Sequence, residues 1–537
     1  MSSPPIITHP FVIEEALPLS ESKLWTLQRQ MYIGLGVRAW RRSGTPHYVT
    51  DNSFVARCYA RVTLTHLRSV LAGNADARRK GACILELGAG AGRFGFHFLE
   101  HFWSMWRDSE LGAVPVTYLM TDLAPNNVEF YRRHPAFAPY VERGQLAFSA
   151  CDAEAPASLQ HAMEGSAPGK RGCPLVVFAN YVFDSLRHDL FYCEGGRLYE
   201  GLVSLKGTAP DVDQNDPLAT LALEVARRPA ETPPSTDPVW NRILDSYRTR
   251  NGQGAVLFPS SGLRLIQRLR GLAPESLLVL AADEGSPRAE VVASRGPRFL
   301  TNGSLSLPSV PVNFHALGEY AAADGGQAHF ASHEADGFCM AALVWDGAGR
   351  DCGATREAFR DVMDLFGPAE FFSIVKSLER TASDLTCQEM LAHLRWSAWD
   401  PQVLHTLLPS LRERLPAAPP TEIAAWRDAM ARVWSLYYHF DAEEGDLAFG
   451  IGATFARLGE WKAAITFFER SRQLWGDDGN TLYNLGVCHA RLGDRPAALA
   501  CVEGVLAAKP DHEQALKLRR ELGTKSEPVR RAWLRTP

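Results

Sequence analysis

At 537 residues, 46% of them hydrophobic and 22% charged, the chain exceeds what one hydrophobic core can use and lacks the polar composition of a disordered one. Roughly two to four folded units are therefore expected. A net charge of −5 with a pI near 6.4, and no long run of Lys or Arg, excludes an extended phosphate-tracking face, so nucleic acid is not an expected partner.

The N-terminal MSSPPIITHPFVIEEALPLS is broken by Pro10 and Glu14-Glu15 and has neither the basic start nor the uninterrupted apolar core of a signal peptide. No stretch reaches the length needed to cross a membrane, and the ten cysteines are scattered without a C-x-x-C pair. A cytoplasmic protein with buried free thiols, no membrane contact and no bound metal is expected.

Residues 21 to 72 read as helical, with apolar positions at helical spacing in ESKLWTLQRQMYIGLGVRAW and SFVARCYARVTLTHLRSVL. From 82 to about 345, short apolar strands alternate with helical stretches, the signature of a parallel sheet covered on both faces; the clearest strands are ACILELG, VTYLMTD, QLAFSACD, CPLVVFAN and ESLLVLAAD. FYCEGGRLYEGLVSL reads as a hairpin turning at Gly195-Gly196, while TAPDVDQNDP and PAETPPSTDP read as loops around an insertion near 205 to 255.

Residues 355 to 440 read as mainly helical, interrupted by LPAAPPT at 415 to 421, where a domain boundary is expected. Past 445 the chain repeats itself. Gly452, Gly459 and Ala464 recur as Gly486, Gly493 and Ala498, each 34 positions on, which is the tetratricopeptide period. Small residues there let paired helices approach, with Phe468 and Val502 filling the space and Pro510 ending the second unit. The flanking helices, 422 to 440 and HEQALKLRREL, are expected to cap the pair. The resulting domains are 1–75 (helical cap), 76–345 (α/β domain), 346–440 (helical extension) and 441–537 (repeats).

The most informative stretch for chemistry is CILELGAGAGRFG. A strand ending in Glu86 runs into Gly88, Gly90 and Gly92 before a helix begins near Arg93, at the edge where a parallel sheet places its ligand. Glycines at alternate positions let the backbone approach a bulky nucleoside, and the helix start offers free N–H groups to a carboxylate. Arg93 stands where a dinucleotide fingerprint needs its third glycine. The pattern E-x-G-x-G-x-G instead resembles the first motif of class I methyltransferases.

Asp122 ends the second strand, from which a carboxylate can accept both ribose hydroxyls; capping the following helix is an alternative, and both can hold. Asp152 follows the third strand, in place to accept from an adenine amino group. The fourth strand ends in FANYVFDSLRHDLF, which puts Asn180, Tyr181 and Asp184 at the carboxyl edge of the sheet. The nearby His188 reads more readily as a surface helix histidine than as a base.

The order of PHYVTDNSFVARCYA, ILELGAGAG, FANYVFDSLRHDLF, LLVLAADEG and VNFHALGEYAAADGG, over residues 40 to 335, resembles the MidA-like methyltransferases, the family that includes the mitochondrial complex I assembly arginine methyltransferase. The resemblance implies a class I Rossmann-like fold and S-adenosyl-L-methionine as cofactor. It implies cofactor contacts at Glu86, Gly88, Gly90, Gly92, Asp122, Asp152 and Asn180, with a protein side chain as acceptor. Two departures stand out. The family's N-E-x-x-D motif has tyrosine at 181, which leaves Asp184 without its carboxylate partner and weakens the case for a guanidinium acceptor. The family's D-Y-G strand end stands here as Asp283-Glu284-Gly285.

Asp184 is expected to orient or deprotonate the acceptor, and Tyr181 to close the pocket against water. The repeats are expected to present a groove for a protein or peptide. The rival readings are a non-catalytic adaptor built on a methyltransferase-like domain, and an O- or N-methyltransferase of small molecules.

Overall fold

The computed structural model describes residues 11–39, 47–166, 172–207, 221–250, 253–294, 310–332, 337–346, 352–440 and 445–523. The chain divides into two compact units, Met1–Glu370 and Phe371–Pro537. Among the described residues, no helix is long and apolar enough to cross a membrane.

The first unit contains strands β1 (Phe11–Pro18), β2 (Ala82–Glu86), β3 (Val116–Asp122), β4 (Leu146–Ala150), β5 (Leu175–Asn180), β6 (Asp189–Glu194), β7 (Arg197–Gly207), β8 (Leu221–Pro229), β9 (Gln253–Phe258), β10 (Ser276–Ser286), β11 (Val312–Asn313), β12 (Gln327–Phe330) and β13 (Phe338–Asp346). The main sheet runs in the order β12-β13-β10-β5-β2-β3-β4, with β11 beside β10. Along that order β13 is the one antiparallel strand. Its central members are buried end to end, as in ACILE, because helices cover both faces.

Strand order reverses between β2 and β5, and this switch point opens a crevice at the carboxyl ends of the strands. This is the class I, Rossmann-like arrangement expected from the sequence, preceded by helices and followed by an all-α region. The helix after β2, Arg93–Arg107, buries Phe98, Phe102 and Trp106 completely, and each such ring contributes about 1.5–3 kcal/mol. Helix Ser53–Leu71 starts at Asn52, whose side chain accepts from the Val55 N–H at 2.9 Å.

A second, antiparallel sheet has the order β1-β7-β6-β9, with β8 on β7. The β6–β7 turn falls on Gly195-Gly196, both at positive φ. Two expectations change here. The segment Phe11–Pro18, placed by the sequence in a helical cap, is a strand on β7; Glu14-Glu15 interrupts its apolar run, and Glu14 is drawn inward by bonds from the Ser22 hydroxyl and the Lys23 N–H. The insertion near 205 to 255 also gains a role, since β8, helix Pro238–Arg250 and β9 complete this sheet and its cover. TAPDVDQNDP lies outside the described residues, whereas PAETPPSTDP connects β8 to that helix.

In the second unit, helices Pro401–Arg414 and Pro420–Ser435 flank the proline-rich 415 to 421 segment and precede the repeats. The repeats are the helices Leu447–Arg457 with Trp461–Trp475, and Gly479–Leu492 with Arg495–Ala508, followed by Glu513–Gly523. Their close approach is steric: a Cβ on Gly452 would stand 3.0 Å from the Phe468 ring, and one on Gly486 3.4 Å from Val502. Gly459 and Gly493 turn the chain with positive φ.

Candidate active site

A cleft with about 770 Å³ of empty space, its mouth included, opens at the switch point, within the range typical of small-molecule sites. Gly88, Asp122, Asp152 and Tyr181 all line it. Four strand ends, far apart in the sequence, thus converge on one hollow because parallel strands finish on the same edge.

The glycine turn is built as its spacing suggests. Gly88, Gly90 and Gly92 all have positive φ, a conformation that would strain a side-chain-bearing residue. The Gly90 N–H donates to Asp122 Oδ2 at 2.9 Å, and the Gly90 carbonyl accepts from the Tyr131 hydroxyl at 2.7 Å. Asp122 also accepts the Ala124 N–H at 2.8 Å, so it holds the start of the next helix as well as the turn. Burial raises its pKa, against these hydrogen bonds.

Glu86 does not line the cleft. It lies under the turn, where it accepts from the Tyr118 hydroxyl at 2.7 Å, and burial pushes its carboxyl up to about 8. Gly95 makes room for it, because a Cβ there would stand 2.7 Å from Glu86 Oε2. Asn180 is likewise outside the lining and accepts the Tyr59 hydroxyl at 2.5 Å.

Asp152 is held by an ion pair with Arg29, which reaches Glu154 as well at 3.1 Å. Arg29, Gln28 and Tyr32 come from the helix Lys23–Leu35 and form a wall of the cleft that sequence reasoning missed. Nothing in their spacing signals it, since the helix pattern marks a buried face without saying what lies against it.

Tyr181 takes a left-handed backbone conformation, with φ of 52°, and donates its N–H to the Ala282 carbonyl at 2.9 Å. Its ring lies 5.8 Å from that of Phe338. Such backbone strain in a non-glycine residue concentrates at functional sites.

Asp184 is buried, is not among the residues that line the cleft, and lies within hydrogen-bonding range of Asp283. Asp283 Oδ2 accepts the Phe183 N–H at 3.0 Å, and the Val182 N–H also hydrogen-bonds to this carboxyl. Burial, then the charge of Asp184, raises the Asp283 pKa far above the carboxylate range. Burial and the proximity of Asp184 thus favour the protonated form of Asp283, which can then share its proton across the pair. The carboxyl that stands beside Asp184 therefore comes from β10.

His188 is neither on a helix nor exposed. It is fully buried and stacked on Trp25 at 6.2 Å; its Nδ1 lies 2.9 Å from the Leu186 carbonyl, and burial pushes its pKa down to about 4. Cys151 lines the cleft, yet burial pushes its thiol up to about 11, so it remains protonated. Among the described residues, no cluster of three or more His, Cys, Asp or Glu side chains could hold a metal ion.

Residues 456–522 match the tetratricopeptide repeat family model, so this part of the second unit is a tetratricopeptide segment. No curated protein matches the sequence. Two solved structures from Burkholderia thailandensis are similar at 15% identity, each over 62% of this chain. One is a COG1565 superfamily member bound to S-adenosyl-homocysteine, with TM-score 0.38 over 88% of its length. The other is an uncharacterized protein of that superfamily, with TM-score 0.34 over 87% of its length.

Proposed function

We propose that this chain is a MidA-like methyltransferase that uses S-adenosyl-L-methionine and methylates a protein side chain brought to it by the tetratricopeptide segment. The observation that carries the reading is the convergence of the glycine turn, Asp122, Asp152 and Tyr181 on one cleft at the switch point. The cleft suits a nucleoside: Gly88 allows backbone approach, Asp122 and Asp152 offer oxygens, and the buried oxygen of Asn127 lacks a donor.

The cofactor supplies an electrophilic methyl group on a sulfonium. What the chain contributes is position, which is worth roughly 7–11 kcal/mol of barrier when reactants are well aligned. Tyr32 and Tyr181 line the cleft with rings that exclude water. Asp184, with the Asp283 carboxyl beside it, takes the proton that the acceptor loses.

The test is calorimetric titration with S-adenosyl-homocysteine, together with transfer of a labelled methyl group into the proteins of a cell extract. Micromolar binding and label in protein are expected for the wild type. Asp184→Asn should bind within about threefold of wild type and lose transfer. Label confined to small molecules overturns the protein acceptor, and absence of binding overturns the enzyme, leaving the repeats as the functional part.

A further inference from the structure

The acid at the end of β3 is expected to accept both ribose hydroxyls, which requires two free acceptor sites. A carboxylate has about four. In Asp122, Oδ1 takes the Ala124 N–H at 2.8 Å and Oδ2 takes the Gly90 N–H at 2.9 Å. The side chain of Asn127 also hydrogen-bonds to this carboxyl. The Tyr131 hydroxyl lies 3.3 Å from Oδ2 but has a nearer acceptor, the Gly90 carbonyl at 2.7 Å, so it crowds Asp122 without serving as its main donor. At most one site is left, and a cis-diol needs two.

The missing acceptor is next door. Asn127 is 4% exposed and lines the same cleft, and its Oδ1 is buried with no hydrogen-bond partner. Which end of the amide points where follows from chemistry: a carboxylate can only accept, so the NH₂ faces Asp122 and the oxygen faces away from it. Gly36, which also lines the cleft, packs close to that oxygen: a Cβ there would stand 3.0 Å from Oδ1 and 2.6 Å from Asn126 Nδ2. A buried amide oxygen without a donor is costly, and a ligand hydroxyl would remove the cost.

We infer that Asn127 Oδ1 accepts one ribose hydroxyl of the bound nucleoside and Asp122 the other, so that Asn127 is a specificity-determining residue for the ribose. The inference rests on the methyltransferase reading, and its test separates the two. Wild type, Asn127→Ala and Asn127→Ser are titrated with S-adenosyl-homocysteine and with its 2′-deoxy and 3′-deoxy analogues. Serine keeps a donor for Asp122 while removing the amide oxygen.

The wild type should lose about tenfold in affinity for each deoxy analogue, the effect of one hydrogen bond to a buried acceptor. Both variants should lose about tenfold for S-adenosyl-homocysteine and nothing further for one of the two analogues, which is the coupling expected of a direct contact. Equal losses for all three ligands, or variant affinities within about twofold of wild type, overturn the role of Asn127 and leave the enzyme reading intact. If the wild type binds none of the ligands, the enzyme reading fails and takes this inference with it.

Discussion

The carboxyls of Asp184 and Asp283 lie within hydrogen-bonding range of each other, although they come from different strand ends and carry the same charge when ionised. Burial, then the charge of Asp184, favours the form in which Asp283 keeps its proton. In Asp283→Asn the amide can donate to Asp184 and still accept the Phe183 N–H, so the variant should fold and be more stable than wild type above neutral pH. Asp283→Ala leaves that N–H buried without an acceptor and should cost about 1–3 kcal/mol. Urea melts of the three proteins at pH 6 and pH 9 check the order; an Asn variant less stable than wild type at both would refute the shared proton.

Glu86 makes the fold less stable as pH rises from acid towards 8. Its carboxyl is pushed up to about 8 by burial, from an unfolded value of 4.5. Between those values the native state holds a proton that the unfolded chain has released, so stability is full below pH 4.5 and falls as pH rises to 8. Glu86→Gln removes this dependence and keeps an acceptor for Tyr118. Its stability relative to wild type should grow by about 3 kcal/mol from pH 4.5 to pH 7, read from denaturant midpoints.

His188 acts in the opposite sense. Burial lowers its pKa to about 4 from 6.5, so the unfolded chain gains a proton first as pH falls, and stability drops below pH 6.5. His188→Asn retains a donor for the Leu186 carbonyl and should lose about 2 kcal/mol less than wild type between pH 6.5 and pH 5. Thermal melts across that range give the comparison.

In the repeats, the two equivalent glycines should respond differently to alanine. At Gly452 a Cβ meets Phe468 at 3.0 Å and the Ala464 carbonyl at 3.3 Å, so the helices must shift, and Gly452→Ala should destabilise by about 1–3 kcal/mol. At Gly486 the nearest atoms are 3.4 Å away, and the helix propensity of alanine should make Gly486→Ala neutral or stabilising by up to about 1 kcal/mol. Equal effects in the full chain would contradict this account of the packing.

The glycine turn, the strand ends carrying Asp122, Asp152 and Tyr181, and the 34-residue repeat were all legible, because each rests on local spacing or on a fixed period. Asn127 could have been noticed as a polar residue in the first turn of the helix after Asp122. Arg29 and Tyr32 could not, since they enter the cleft from a helix about ninety residues upstream of that acid, placed by packing alone. Strand β1 was hidden for a related reason: Glu14 breaks the apolar run that would mark a strand, and only its bonds to Ser22 and Lys23 make burial tolerable.

By itself the sequence determined the alternation of strands and helices, the backbone freedom of Gly88, Gly90 and Gly92, and the small residues that let the repeat helices meet, since these follow from periodicity and from the absence of a Cβ. The tertiary structure alone decided which polar atoms remain free to act. Glu86 and Asn180 are turned to internal partners, most of Asp122 is consumed by the turn it anchors, and Asp184 meets a carboxyl from a strand about a hundred residues later. A hydrogen-bonding atom serves a ligand only if no neighbour has claimed it, and neighbours across a sheet are set by the fold.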